Sequence, residues 1–185
     1  DIEDQIGQSF VTPNYECWEA FFGFDTSSIG AGQIVTSAVM SLNAAGGTTV
    51  DVLECRLYNW GGTLTTADWT AGASLSGLTL LGSYDTAGGW GASGYHAFSD
   101  VAFAANVNTA GTTYVMVHGQ KQRTGVAPTA DETSTAVMAD RTPTGREPKL
   151  VVTYRLPVPQ TIRPGTGVLA LAGFAPTVTA GASNP

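Results

Sequence analysis

Trp18-Glu19-Ala20-Phe21-Phe22-Gly23-Phe24-Asp25-Thr26-Ser27-Ser28 and, after a glycine-rich gap, Ile34-Val35-Thr36-Ser37-Ala38-Val39-Met40-Ser41-Leu42 carry the reading of the fold. Trp18, Ala20, Phe22 and Phe24 recur at every second position, the period of a strand that buries one face. Asp25 to Ser28 offer side-chain oxygens to nearby backbone N–H groups, and Gly30 and Gly32 free the backbone, so the chain turns. The second run alternates again, Ile34, Thr36, Ala38, Met40 and Leu42 against Val35, Ser37, Val39 and Ser41. The pattern predicts strand, short connection, strand: an opening hairpin.

Outward from this stretch the signals stay β-like. Ala44-Ala45-Gly46-Gly47 predicts a turn and Thr48 to Tyr58 a long strand. The parity of that strand is divided, with Val50 and Val52 on one face and Leu53, Cys55 and Leu57 on the other. Either both faces are partly covered or a bulge shifts the register. Asn59 to Trp69 is irregular and aromatic, with Thr66 or Asp68 placed to cap a short helical turn. Tyr95 to Val101 and Thr113 to His118 read as strands, and Phe103 to Thr109 runs into a turn between them. Gln120 to Pro148 reads as surface loops around one strand, Thr135 to Ala139, and Leu150 to Tyr154 closes the fold. No amphipathic run of helical period exceeds about three turns.

The expectation is therefore all-β: an antiparallel β-sandwich, jelly-roll-like, over residues 1–155. Within it, residues 1–17 form a first edge strand or an arm reaching a neighbouring subunit. From Leu156-Pro157-Val158-Pro159 the composition changes, because proline lacks the donor a central strand needs. Residues 156–185 thus read as an extended linker followed by a C-terminal docking strand with Val168, Leu169, Leu171 and Phe174 as its apolar contacts. A lone apolar strand after such a linker buries itself poorly and wants a sheet edge, in this domain or on another chain.

The chain has 185 residues, 12% of them charged, and a formal net charge of −7. That balance opposes nucleic-acid binding, which needs basic residues against phosphate. No apolar run reaches the roughly 20 residues of a membrane span, and no signal-peptide pattern is present. The opening residue is Asp1, as expected where an N-terminal segment has been removed or belongs to a longer protein. Cys17 and Cys55 both fall in strand-like stretches. They either face each other across the sandwich as a disulfide or sit as two small buried hydrophobes, and a chain this long does not need a staple.

Phe24-Asp25-Thr26-Ser27-Ser28-Ile29 with Ile34 to Leu42 resembles the start of DNRLRE-type domains, and Pro148-Lys149-Leu150-Val151-Val152-Thr153-Tyr154 resembles their closing strand. These are jelly-roll sandwiches akin to carbohydrate-binding modules, found in secreted bacterial proteins and phage structural proteins. The tail pattern Pro164-Gly165-Thr166-Gly167-x-Leu169-x-Leu171-x-Gly173-Phe174-x-Pro176 resembles short C-terminal segments of phage virion proteins. The resemblance implies a non-enzymatic subunit on a virion surface: a capsid decoration, turret or fibre protein. It implies self-association and contact with the major capsid protein or tail and fibre subunits. The alternative it implies is a secreted carbohydrate-binding module that holds a polysaccharide.

Catalytic motifs are missing: no Gly-x-Ser-x-Gly elbow, His-Glu-x-x-His, phosphate loop or clustered cysteines. His96 and His118, the only histidines, fit half-buried strand positions with one ring nitrogen satisfied. Asp68, Asp85, Asp131 and Glu132 are loop acids of the kind that is usually solvated, although two facing one cleft would suit glycoside hydrolysis. Asp25, Asp131, Glu132 and Glu147 are the oxygen ligands calcium would draw on, but their spacing is not that of a calcium loop. No cofactor is expected. For a sugar, Trp60, Trp69, Tyr84 and Trp90 lie in or beside glycine-rich loops where an exposed ring stacks on a pyranose, with Asn59, Asp68 and Asp85 for its hydroxyls. The competing reading has these rings plugging the ends of the sandwich.

Overall fold

The computed structural model describes residues 2–11, 14–47, 51–90, 94–138 and 145–157. Its strands are β1 (Ile2–Val11), β2 (Asn14–Trp18), β3 (Ala20–Asp25), β4 (Ile34–Gly47), β5 (Val52–Leu57), β6 (Leu80–Asp85), β7 (Tyr95–Ala97), β8 (Thr112–Gly119), β9 (Glu132–Met138) and β10 (Lys149–Arg155). Among the described residues, short α-helices interrupt them, α1 (Gly72–Leu75), α2 (Phe103–Asn106) and α3 (Gln120–Thr124), with 3-10 turns at Ser27–Ile29 and Thr86–Gly88.

The strands form two antiparallel sheets. One runs β10-β4-β9-β1-β2 with β7 also on β4, and the other runs β3-β8-β5-β6. Ile6, Ala38, Met40, Leu42, Ala44 and Ala136 of the first pack against Phe22, Leu53, Cys55, Val115 and Val117 of the second. This is the all-β sandwich that the alternation implies. The chain changes sheet between β2 and β3, β3 and β4, β4 and β5, β6 and β7, β7 and β8, and β8 and β9.

Those crossings correct several local expectations. Trp18 ends β2 opposite Gly7, while Ala20 begins β3 opposite Val117 in the other sheet, so Glu19 alone spans the crossing. One alternating period thus runs through two strands, and only its second half is core: Ala20 and Phe22 are buried and Trp18 is not. β3 and β4 do not pair, so the expected hairpin is a corner between sheets, turned at Ser27–Ile29. Asp25 Oδ1 accepts the Ser27 N–H at 3.0 Å and its hydroxyl at 2.6 Å, the local bonding that stretch suggested.

The expected turn at Ala44–Gly47 is also absent. β4 continues through it, and a register shift against β9 between Ala44 and Gly46 absorbs the glycines. In β5 both readings of the divided parity hold. A register shift against β6 falls at Cys55/Arg56, and both faces are covered, Leu53 and Cys55 by the core and Glu54 and Arg56 on the opposite side. Within the N-terminal residues, β1 is placed between β9 and β2, and β2 is the strand that ends this side of the sheet among the described residues, so the expected edge strand is β2. β7 ends at Ala97, short of the expected Val101, and Phe103–Asn106 is a helical turn whose Phe103 N–H is taken by Asp100 Oδ1 at 3.0 Å. The Gln120 to Pro148 stretch holds α3 as well as β9, and β9 begins three residues before the expected strand. Asp68 caps no helix; its Oδ2 closes a turn on Thr65 N and Oγ1. Both cysteines are free thiols, Cys55 buried with Sγ 3.4 Å from Met40 Sδ.

The outer face of the second sheet carries a buried ionic network. Glu54 accepts from Arg56 Nη2 at 2.7 Å, from Arg123 Nε and Nη2 at 2.7 and 2.8 Å, and from Gln120 Nε2 at 3.4 Å. Arg56 also donates to the Leu78 carbonyl at 2.6 Å. Burial pushes the Glu54 carboxyl up, but the hydrogen bonds from the two guanidiniums outweigh it and bring the group down to about 2. A charge this buried survives only because its partners are charged and well aligned. The network fixes α3 and the segment ending at Leu78 against β5.

Candidate functional site

Three parts of this scaffold bear on function: the aromatic residues of the loops, a polar pocket beside β2, and the free edge of β10. The five residues expected to grip a sugar fall in three places. Trp60 is half-buried, edge-on to Tyr114 with centroids 5.1 Å apart and to Phe21 at 6.5 Å, and donates to the Phe22 carbonyl. Trp90 is buried in the core, stacked on His96 and edge-on to Tyr84, and Nε1 is shared between the Gly46 and Thr135 carbonyls at 2.9 and 3.2 Å. Tyr84 belongs to that same cluster, with Phe98 at 6.4 Å. Asp85 is exposed and accepts the Ala87 N–H. Trp69 alone stands largely free, 53% exposed. No ring contact joins Trp60, Trp69 and the Tyr84–Trp90 pair.

The histidines differ from each other. His96 is half-buried and burial lowers its pKa. His118 is fully buried with both ring nitrogens used, Nε2 accepting from Arg56 Nε at 3.0 Å and Nδ1 facing the Gly119 carbonyl at 2.9 Å. The acids considered above are engaged with other partners. Asp131 accepts from Ser9 and Phe10, Glu132 pairs with Lys121 at 2.8 Å, and Glu147 accepts the Gly145 N–H. Among the described residues, no three His, Cys, Asp or Glu side chains gather as a metal would require.

The pocket lies between β1, β2, α3 and the segment that leads into α1. In β1 the alternation that sends Ile6 into the core sends Gln8 to the same face, opposite Cys17 of β2. Tyr15, two residues before Cys17, shares that face. α3 brings Gln122 across from them, and the segment before α1 brings Trp69. The resulting cavity of about 400 Å³ is lined by Gln8, Tyr15, Cys17, Trp69, Gly72, Gln122 and Gly125. At Gly72 the backbone of α1 comes so close to α3 that a Cβ would meet the Gln122 carbonyl.

The floor of this pocket is polar. Gln8 and Gln122 are 2% and 4% exposed, and the Oε1 of each has no hydrogen-bond partner among the described residues. Gln122 Nε2 donates to Glu19 Oε1 at 2.7 Å, and Gln8 Nε2 to Cys17 Sγ at 3.7 Å. Glu19 Oε2 takes the Thr70 N–H at 3.2 Å. Burial raises the Glu19 carboxyl to about 7 against the pull of those two donors, and burial likewise raises the Cys17 thiol. Sequence reasoning singled out Trp69 but missed the glutamines. The available signal was Gln8 at a core-facing position two residues after Ile6; Gln122 sits in a five-residue helix that no periodicity announces.

The third feature is an edge. Among the described residues β10 pairs only with β4. Leu150 and Val152 pack against the core, while Val151 is 61% exposed and Leu156, just beyond the strand, 73%. Tyr154 and Ile34 are exposed beside them. The expected contact residues Val168, Leu169, Leu171 and Phe174 lie outside the described residues. Compared with protein-family models, with characterised proteins and with solved structures, the chain matches none.

Proposed function

We propose that this chain is a non-enzymatic structural subunit that self-associates by strand addition, of the kind that decorates or extends a phage-like particle. The observation that supports it best is the seven-residue strand β10, unpaired along one side among the described residues and flanked by exposed Val151, Tyr154 and Leu156. A sheet edge of this length with apolar side chains offers a row of unpaired N–H and C=O groups to another strand. The occupant proposed is the segment around Val168 to Phe174 of a second copy, whose alternating apolar pattern begins a short proline-rich linker after β10 ends. Main-chain hydrogen bonds would supply the affinity, and Val151 and Tyr154 would fix the register. The net charge of −7 would keep assembled surfaces apart. The virion setting rests on the family resemblance.

The test is the size of the full chain in solution. Val151→Lys on the acceptor edge and Leu169→Asp with Leu171→Asp on the donor should each dissociate the assembly without altering the circular dichroism. Association that survives both variants would remove the reading. The alternative, a carbohydrate-binding module, has weaker geometric support, since Trp90 is spent on the core and Trp60 on Tyr114.

A further inference from the structure

We propose that the pocket between β1, β2 and α3 binds a primary alkylammonium group, such as the end of a lysine side chain. Two independent features converge on that chemistry. The first is the pair of orphaned amide oxygens on buried side chains, Gln8 Oε1 and Gln122 Oε1. A buried acceptor left without a donor is costly, so a ligand that supplies N–H groups recovers that cost on binding. The Gln122 oxygen is oriented by its own amide nitrogen, which is committed to Glu19 at 2.7 Å. An ammonium has three donors and no acceptor, which suits a floor that offers acceptors.

The second feature is the charge and character of the walls. Trp69 and Tyr15, 53% and 50% exposed, form an aromatic rim able to face a cation and to cover the methylenes behind it. Behind Gln122 lies Glu19, which forms no ion pair among the described residues. The neighbouring cations of α3 are committed elsewhere, Lys121 to Glu132 at 2.8 Å and Arg123 to Glu54 at 2.7 Å. Neither cation of α3 therefore competes for the pocket. Gly72 and Gly125 keep its walls low, and about 400 Å³ accommodates a butylammonium chain with room for water.

The test titrates the full chain, followed by tryptophan fluorescence and calorimetry, with Nα-acetyl-lysine amide, with cadaverine, and with the Nε-acetylated lysine derivative as the uncharged control. Glucose and galactose at matched concentration test a polyol instead. The expected result is saturable binding of at least one amine and none of the acetylated control. Binding of the lysine derivative would identify a protein side chain as the source, and binding of cadaverine alone a free diamine. Gln122→Leu and Gln8→Leu should each weaken binding about tenfold, as expected for a lost hydrogen bond to a charged group. Trp69→Ala should weaken it severalfold while leaving the melting temperature unchanged, so loss of fold is not mistaken for loss of site. Absence of saturable amine binding, equal binding of the acetylated control, preference for a sugar, or binding indifferent to Trp69→Ala and Gln122→Leu would each overturn the proposal. None of these outcomes bears on self-association through β10, which is read separately from the size of the assembly.

Discussion

Arg56 Nε donates to His118 Nε2 at 3.0 Å, which leaves the imidazole proton on Nδ1, where the Gly119 carbonyl accepts it at 2.9 Å. The histidine is thereby held neutral: burial is the main cause and pushes its pKa down to about 4, with the neighbouring guanidiniums adding to the effect. Protonation would set a cation against Arg56 inside a closed space.

The consequence is an acid limb in stability. An unfolded histidine takes up its proton near 6.5 while the folded one resists until about 4. Stability from this group is therefore complete above 6.5 and is lost as the pH falls toward 4, by up to about 3 kcal/mol. Urea midpoints between pH 7.5 and 4 should show the decline, and His118→Gln should flatten it.

Glu54 neutralises two guanidiniums, so its removal leaves the buried Arg56 and the partly exposed Arg123 without their carboxylate. Glu54→Ala should cost about 3–5 kcal/mol, against about 1–2 kcal/mol for Arg123→Ala, whose side chain is partly exposed. Chemical denaturation at pH 7 measures both. Similar, small losses would mean that the network is not the clamp on α3 described above.

Glu19 has the opposite sign. Its folded carboxyl is raised to about 7, so the folded state keeps a proton that the unfolded chain releases near 4.5. Its contribution to stability falls as the pH rises from 4.5 to 7. Glu19→Gln, which keeps an acceptor for the Thr70 N–H, should match the parent at pH 5 and exceed it by about 1 kcal/mol at pH 8, after allowance for partial exposure. Equal stability at both pH values would contradict the assignment.

Two tryptophans should separate cleanly. Trp90→Ala empties a buried site and strands the carbonyls its Nε1 serves, costing about 3–5 kcal/mol. Trp69→Ala, at an exposed rim, should change the melting temperature by less than about 2 °C. Differential scanning calorimetry decides.

Alternation made the sandwich legible because one buried face leaves a period of two wherever a strand lies. It was read too far through Glu19, where the same period continues across a change of sheet and makes two strands look like one. Gly46 and Gly47 looked like a turn because glycine's freedom serves a register shift equally well. Gly7 shows the limit more sharply. It sits inside β1 with φ +121°, where a Cβ would collide with the Glu132 carbonyl, yet nothing local marks it. The pocket was least legible, since Gln8 and Gln122 are 114 residues apart and line one cavity through the placement of α3, whose Arg123 is bound by Glu54.

The central claim, a subunit built to accept a strand on β10, is tested most directly by sedimentation velocity of the full chain across a hundredfold range of concentration. The account predicts reversible association that Val151→Lys abolishes while far-ultraviolet circular dichroism stays unchanged. A chain that remains monomeric throughout, or associates equally well with a lysine at that position, would contradict it.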